Sequence, residues 1–322
     1  MLQVPARPLM LRGRRFLLKV EDSASAADYP KFEGLRSAVW GFPEDTLAGP
    51  RNMACENFLH EGSSLFLAAY AEDPAGGFAE DAAHFVGFSY GFVGLKDKAT
   101  GYRSPENLWF YSQYTAVHPD YRGYGLGIPI KEFQRDVVME TLGIFNVVCT
   151  YDPLTAVNAY RNCHRFGMDV AEYRASTYGE FGGLLNRTDV PTDRFFMNWD
   201  LRRAVRQAVL RPDDLLASGA GLVEAGDKTI RGRSGPVELE EIQSTKPDGG
   251  REVVLVRIPR DFYAMLRETD VEDPEVRRIP VEWRTRTRTV FQDLLAGGYR
   301  VVDFGLAGRP RPSPFYILRR NR

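Results

Sequence analysis

The sequence predicts an α/β protein of two domains. Three observations carry that expectation. Apolar, β-branched and aromatic runs alternate with helical spacing as far as Leu201. At Leu126 the apolar spacing changes abruptly to steps of three and four. The chain's 322 residues exceed what one hydrophobic core usually serves.

The elements follow in order. Phe16–Val20 is a short apolar run and a first strand, and residues 30–40 have helical spacing at Phe32, Leu35 and Val39. Ser64–Tyr70 and His84–Val93 are strands around a Gly- and acid-rich turn, and the glycines of the second point to bulges or close contacts. Leu108–Val117 is long, aromatic and β-branched, so a central strand is expected. Leu126, Ile130, Phe133, Val137 and Thr141 then share one helix face, with Pro129 in the first turn and Gly143 past the end. Phe145–Tyr151 is a buried strand. Asp152-Pro153 reads as cap and first turn of a helix that runs to Phe166 and stops at Gly167. Met168–Tyr173 and Arg194–Leu201 complete the first domain, 1–201.

Beyond a polar stretch, Arg202–Ser218, a smaller α/β domain spans 202–322. It has strands at Val237–Ile242 and Val253–Ile258, helices at Asp261–Arg267 and Pro280–Ala296, and a hairpin of Tyr299–Leu306 with Pro314–Arg319. In the long helix Trp283, Thr287, Val290 or Phe291, and Leu294 share a face. Arg284, Arg286 and Arg288 spread around that helix, so a solvated face with ion pairs to Glu282 and Asp293 is expected. The order strand, helix, glycine, hairpin echoes Phe145–Leu201 and raises an ancient half-repeat.

Composition narrows the function. The formal net charge of −1 gives little counterion release, which argues against nucleic acid. No segment approaches the ~20 apolar residues of a membrane-spanning helix, and no signal-peptide core follows Arg7, Arg12, Arg14 and Arg15. Three cysteines without CxxC suggest a reducing, cytoplasmic setting, and four scattered histidines imply no metal site.

The chemistry concentrates in Thr115–Gly127, between the central strand and the amphipathic helix. Gly123, Gly125 and Gly127 remove Cβ atoms where the chain turns, so successive N–H groups can face one concavity. The helix start adds unpaired N–H groups and a positive dipole end, which together suit a diphosphate, with Arg122 at the rim. A glycine-rich turn without ligand is the plain alternative. A dinucleotide fingerprint started at Gly123 fails at Ile128, and no Gly-Lys-Ser/Thr completes a P-loop.

The string Arg122-Gly-Tyr-Gly125-Leu-Gly127, after a strand ending Thr-Ala-Val, resembles the R/Q-x-x-G-x-G/A signature of the GNAT acyltransferase superfamily. Asp152-Pro-Leu154, Asn158-Ala159, Pro191-Thr-Asp-Arg194, Trp283-Arg284 and Gly298-Tyr299 resemble one poorly characterised two-domain subfamily of it. The resemblance implies a mixed sheet and acetyl-CoA or another acyl-CoA, succinyl-CoA included, as cosubstrate. The acceptor would be a small-molecule amine such as an amino acid. The pantetheine arm would pair with Thr115, Ala116 and Val117, and the diphosphate would lie on the amides of Arg122, Gly123, Tyr124, Gly125, Leu126 and Gly127. Asn158 matches the family asparagine near the pantetheine, or makes a helix-start hydrogen bond. The backbone of Val117 would hold the oxyanion.

The resemblance also places a proton-donating tyrosine four residues before Gly167, and Cys163 stands there instead. Cys163 as acid competes with plain packing, and Tyr160 is the backup. Glu106, His84 and Tyr114 are candidate bases, each with an ordinary structural alternative, while Ser112 and Gln113 would shape the acceptor side. A CoA-binding sensor without turnover is the rival function, motivated by Cys163. Pro191-Thr-Asp-Arg194 is expected to pin the last strand through an Asp–Arg contact. Oligomeric state stays open, homo-oligomers included.

Overall fold

The structure, a computed structural model, describes residues 4–41, 46–180, 182–204 and 210–320. The chain forms two compact units: Met1–Cys149 with Asp200–Arg202, and Thr150–Trp199 with Arg203–Arg322. The division therefore falls at residue 149, ahead of the expected boundary at 201, and part of the polar stretch Arg202–Ser218 lies outside the described residues.

Unit 1 opens with a hairpin that sequence reading missed, β1 (Ala6–Leu11) and β2 (Arg14–Val20), antiparallel with Leu11 opposite Arg14. Its two-residue turn places Arg12 at φ 49° and Gly13 at φ 78°, the left-handed pair that matches strand twist. Helix α1 (Pro30–Trp40) occupies the expected residues, and a short α2 (Pro50–Glu56) was not anticipated. Strands β3 (Ser64–Ala71), β4 (Phe85–Leu95) and β5 (Leu108–Val117) follow, then α3 (Gly127–Glu140) and β6 (Asn146–Tyr151), which runs through the division. The sheet of unit 1 is ordered β1-β2-β3-β4-β5-β6. Its neighbours are antiparallel except β5 and β6, which α3 connects as parallel strands.

Strand alternation assigns two faces. Phe88 and Phe66 meet Phe32 of α1, with ring centroids 5.7 and 5.3 Å apart. Gly87 and Ser89 turn the other way, toward α3. A Cβ at Gly87 would stand 2.9 Å from Ile130 Cδ1, and one at Gly91 would stand 2.4 Å from Tyr111 O, so both glycines mark the close contacts expected of β4. Opposite Gly91 the register slips. Tyr90 faces Tyr114 and Gly91 faces Ser112, leaving Gln113 as the extra residue of a bulge on β5.

In unit 2, α4 (Ala156–Ala159) continues into a π-helical turn at Tyr160–Arg165. Asp152 does not cap this helix as expected. Its Oδ1 accepts from the Leu154 amide in a tight turn, and α4 starts after Thr155. Strands β7 (Asp169–Arg174) and β8 (Arg194–Asp200) pair antiparallel. The rest comprises α5 (Pro212–Ala217), the ribbon β9 (Val223–Gly232) and β10 (Gly235–Thr245), and β11 (Val253–Arg257). Helices α6 (Phe262–Glu268), α7 (Pro274–Arg277) and α8 (Ile279–Ala296) precede β12 (Tyr299–Ala307) and β13 (Ser313–Arg320). The last three strands form a sheet ordered β11-β13-β12.

Phe195, Phe291 and Tyr316 form an edge-to-face aromatic centre with centroids 5.0 to 5.5 Å apart. Trp283, Thr287, Val290, Phe291 and Leu294 are all buried, as the helix face required. Two arginines of α8 depart from expectation. Arg284 pairs with Asp152 and Arg288 pairs with Asp193, both inside the unit, while Arg286 keeps the expected local pair with Glu282. Asp193 of the Pro191-Thr-Asp-Arg194 string thus pins its strand through Arg288 rather than Arg194. Arg194 instead lies 3.7 Å from Asp152.

Candidate functional site

The run from His118 to Gly127 is shaped by two local hydrogen bonds. Tyr121 N–H donates to His118 O at 2.9 Å and Arg122 N–H to Pro119 O at 3.1 Å, closing a 3-10 turn. Arg122's amide is therefore committed, and its side chain is exposed. Gly123 and Gly125 then take φ 90° and 84°, values that strain any residue with a Cβ. Added Cβ atoms there would meet nothing within 4 Å, so these glycines serve conformation and access rather than packing.

At the start of α3, Ile128 N–H donates to Gly125 O at 3.2 Å and Ile130 N–H to Leu126 O at 3.1 Å, and Pro129 has no N–H. Among the described residues, the amides of Gly123, Tyr124, Gly125, Leu126 and Gly127 have no protein acceptor. Five consecutive free donors, two of them at the positive end of a fourteen-residue helix, make a concentrated anion-attracting segment. Arg122, expected to share in a diphosphate site, has its amide bonded to Pro119, so the free run begins at Gly123.

The neighbouring strand end is also set by backbone geometry. His118 N–H donates to Val86 O at 2.8 Å. Antiparallel alternation then turns the N–H of Val117 and Thr115 away from β4, to the other edge of β5, and leaves Ala116 bonded toward β4. The register to β6 pairs Phe110 with Val147 and Tyr111 with Val148, near the start of β5. Of the three residues expected to meet a pantetheine arm, Thr115 and Val117 present edge groups and Ala116 does not.

Beneath this strand end lies a buried polar network that sequence reading missed. Lys131 Nζ donates to Ser112 Oγ and to Gln134 Oε1, both at 2.8 Å. Gln134 Nε2 donates to Ser89 Oγ at 2.6 Å, and Ser89 Oγ donates to Tyr114 O at 3.1 Å. The network grips both sides of the bulge at Gln113, so α3 carries the cradle at its start and holds β5 from its second turn. Ser112 faces α3. The signal was a lysine and a glutamine three apart on the helix face that also carries Ile130 and Val137.

The remaining candidates fare unevenly. Glu106 is exposed, and the Ser104 hydroxyl holds its carboxyl below the usual value, opposite to what a base needs. His84 sits 2.8 Å from Asp81 and 3.2 Å from Asp73 in an acidic turn. Tyr114 packs edge-to-face on Trp40, with centroids 5.1 Å apart. In unit 2, Asn158 Nδ2 donates to Thr155 Oγ1 at 3.0 Å and its Oδ1 accepts from Arg161 at 2.6 Å, a helix-start arrangement. Cys163 is buried, with Sγ 3.3 Å from the Tyr151 hydroxyl. Burial pushes the Tyr151 pKa far up, so that hydroxyl is a neutral neighbour. Tyr160 is half exposed and stacks on His164 at 5.0 Å. Among the described residues, no group of three or more His, Cys, Asp or Glu side chains could hold a metal ion. No helix among them is long and apolar enough to cross a membrane.

No family model and no curated protein matches the chain. Solved structures do. The chain is similar to the ribosomal-protein-S18-alanine N-acetyltransferase from Escherichia coli, with 16% identity and TM-score 0.39 over 60% of this chain and 99% of that one. It is similar to an acetyltransferase of the GNAT family from Streptococcus pneumoniae, with 11% identity and TM-score 0.41 over 57% and 98%. It is also similar to a mosquito arylalkylamine N-acetyltransferase like 5b, with 18% identity and TM-score 0.38 over 57% and 98%. Superpositions this loose leave the activity to the chain's own residues, and those provide a mixed α/β sheet with a free-amide cradle between a bulged strand and its following helix.

Proposed function

We propose that the chain is an acyl-CoA-dependent N-acyltransferase. The observation that carries this reading is the run of five amides at Gly123–Gly127 unpartnered among the described residues, beside a strand whose Thr115 and Val117 turn their N–H groups away from β4, beyond its pairing with β6 at Phe110 and Tyr111. Donors in that arrangement suit a diphosphate followed by an amide-bearing arm, and CoA has both.

The donor is acetyl-CoA or succinyl-CoA, and the acceptor is the amine of a small molecule such as an amino acid. The neutral amine attacks the thioester carbon and gives up a proton to a base or a water chain. The N–H of Val117 donates to the oxyanion, the C–S bond breaks, and the thiolate takes a proton. Cys163 and Tyr160 are the candidate donors of that last proton, and Asn158 stays a candidate pantetheine contact. Residues 1–201 are read as carrying the acyltransferase elements, with 150–199 folding in one unit with the chain after 203, and 202–322 as an addition with a half-repeat of the strand–helix–hairpin order.

The burial of Cys163 and the low pKa of Glu106 favour one rival, a CoA-binding sensor. Hydrolysis-corrected CoA release from acetyl-CoA and succinyl-CoA, with a panel of amines and amino acids, separates the two. Acceptor-dependent release supports the enzyme. Tight CoA binding without release from any acceptor supports the sensor.

A further inference from the structure

The hairpin β1–β2 is anchored on the cradle. Phe16, fully buried, meets Tyr121 and Tyr124 edge-to-face at 6.2 and 5.8 Å, and Tyr124 lies between the two left-handed glycines. Two residues before Phe16, Arg14 Nη2 donates to the Tyr121 hydroxyl at 2.9 Å, and its guanidinium stands 4.6 Å from the centre of that ring. The Tyr121 and Tyr124 rings are 6.2 Å apart, so the guanidinium is held on a ring that neighbours Tyr124, the second residue of the amide run.

Charge pairing makes Arg14 informative. On the same hairpin Arg7 pairs with Asp136 and Arg15 with Glu72. Among the described residues Arg14, Arg12 and Arg122 have no carboxylate partner. The only carboxylate in the loop, Asp120, is turned toward His118 at 3.7 Å. One donor of Arg14's fork is fixed by a tyrosine and the rest are free for an anion, with Arg12 in the adjoining turn.

We propose that Arg14 is a ligand-binding residue whose guanidinium, anchored on Tyr121, takes the ribose 3′-phosphate of the CoA nucleotide, with Arg12 supporting. This rests on the reading of Gly123–Gly127 as the diphosphate site. The nucleotide carries a diphosphate at one ribose carbon and a separate monophosphate at another. Neutral amides suit the first, whereas the second is a compact dianion that calls for a guanidinium fork. The Tyr121 hydroxyl accepts from Arg14 and can donate its own proton to a phosphate oxygen.

The test is calorimetry on the full chain with CoA and with 3′-dephospho-CoA. Wild type is expected to prefer CoA by about tenfold, the size of one charge-assisted contact. Arg14→Gln is expected to cut that preference below about twofold while leaving the affinity for 3′-dephospho-CoA unchanged, and Arg14→Lys to keep an intermediate preference. An undiminished preference in Arg14→Gln overturns the proposal. So does an equal loss for both ligands, which puts Arg14 on the diphosphate. Wild type that binds neither ligand removes the cradle reading as well, an outcome distinct from the other two.

Discussion

Arg284, on α8, donates from Nη2 to the Oδ2 of Asp152 in the turn after β6, and both side chains are buried. Burial alone pulls the Arg284 pKa down, but the Asp152 charge more than offsets it, so the guanidinium stays ionised. Arg288 makes the equivalent bond to the fully buried Asp193, which also accepts from the Tyr173 hydroxyl at 2.5 Å. The Tyr316 hydroxyl donates to Pro153 O at 2.8 Å. Residues 150–199 are therefore built around partners from the C-terminal third of the chain.

That pairing predicts a dependence of stability. Arg284→Met leaves Asp152 buried without its hydrogen-bonded arginine and with Arg194 3.7 Å away, and unfolding free energy should fall by about 3–5 kcal/mol. A chain ending at Leu201 loses both arginines and should not unfold cooperatively in urea. A cooperative transition from that fragment would restore 1–201 as an autonomous domain.

A pH dependence follows from Glu33. Burial raises its carboxyl, but hydrogen bonds from Arg36 and from the Leu47 amide outweigh burial and hold the pKa below the usual value. A lowered acid contributes stability that is complete above its unfolded pKa of about 4.3 and is lost as pH falls through the folded one. Tm measured between about pH 6 and pH 3 should fall more steeply for wild type than for Glu33→Gln. Parallel slopes would remove Glu33 from the account.

Gly125→Val puts a branched side chain into open space at φ 84°, so its cost is backbone strain of about 1–2 kcal/mol rather than a core clash. The variant should fold, with KM for the acyl-CoA raised by at least about tenfold, and kcat at saturation less affected. Unchanged KM in folded Gly125→Val would move the donor elsewhere.

Cys163→Ala tests the thiol. Its sulfur is buried against Tyr151, so truncation should lower stability by about 1 kcal/mol and change kcat less than about threefold. A hundredfold fall in kcat with the fold intact would make the thiol the proton donor.

Much of the fold was legible because local pattern and tertiary need agreed. Leu108–Val117 is a strand over the expected residues, and the N-cap Leu126 with Ile130, Phe133 and Val137 of α3 are buried as their spacing required, while Thr141 falls at the C-cap and is half-buried. The turn before α3 was legible because glycines have a conformational meaning of their own: Gly123 and Gly125 take positive φ, while Gly127 is the first residue of the helix. What stayed hidden depends on partners far along the chain. Asp193 finds Arg288, 95 residues away, in preference to its neighbour Arg194, and no local rule contains that choice. Strand β1 was obscured by its arginines, which read as a charged terminus until Arg12-Gly13 is seen as a two-residue turn. Ribbon β9 alternates glycines and charges and has few apolar residues to announce it.

The most direct measurement watches the cradle itself. In protein labelled with 15N-glycine, the account predicts that adding CoA shifts the amide signals of Gly123, Gly125 and Gly127 saturably and downfield, as free N–H groups acquire phosphate acceptors. Signals that stay in place at millimolar CoA, in a protein whose spectrum shows it folded, would contradict it.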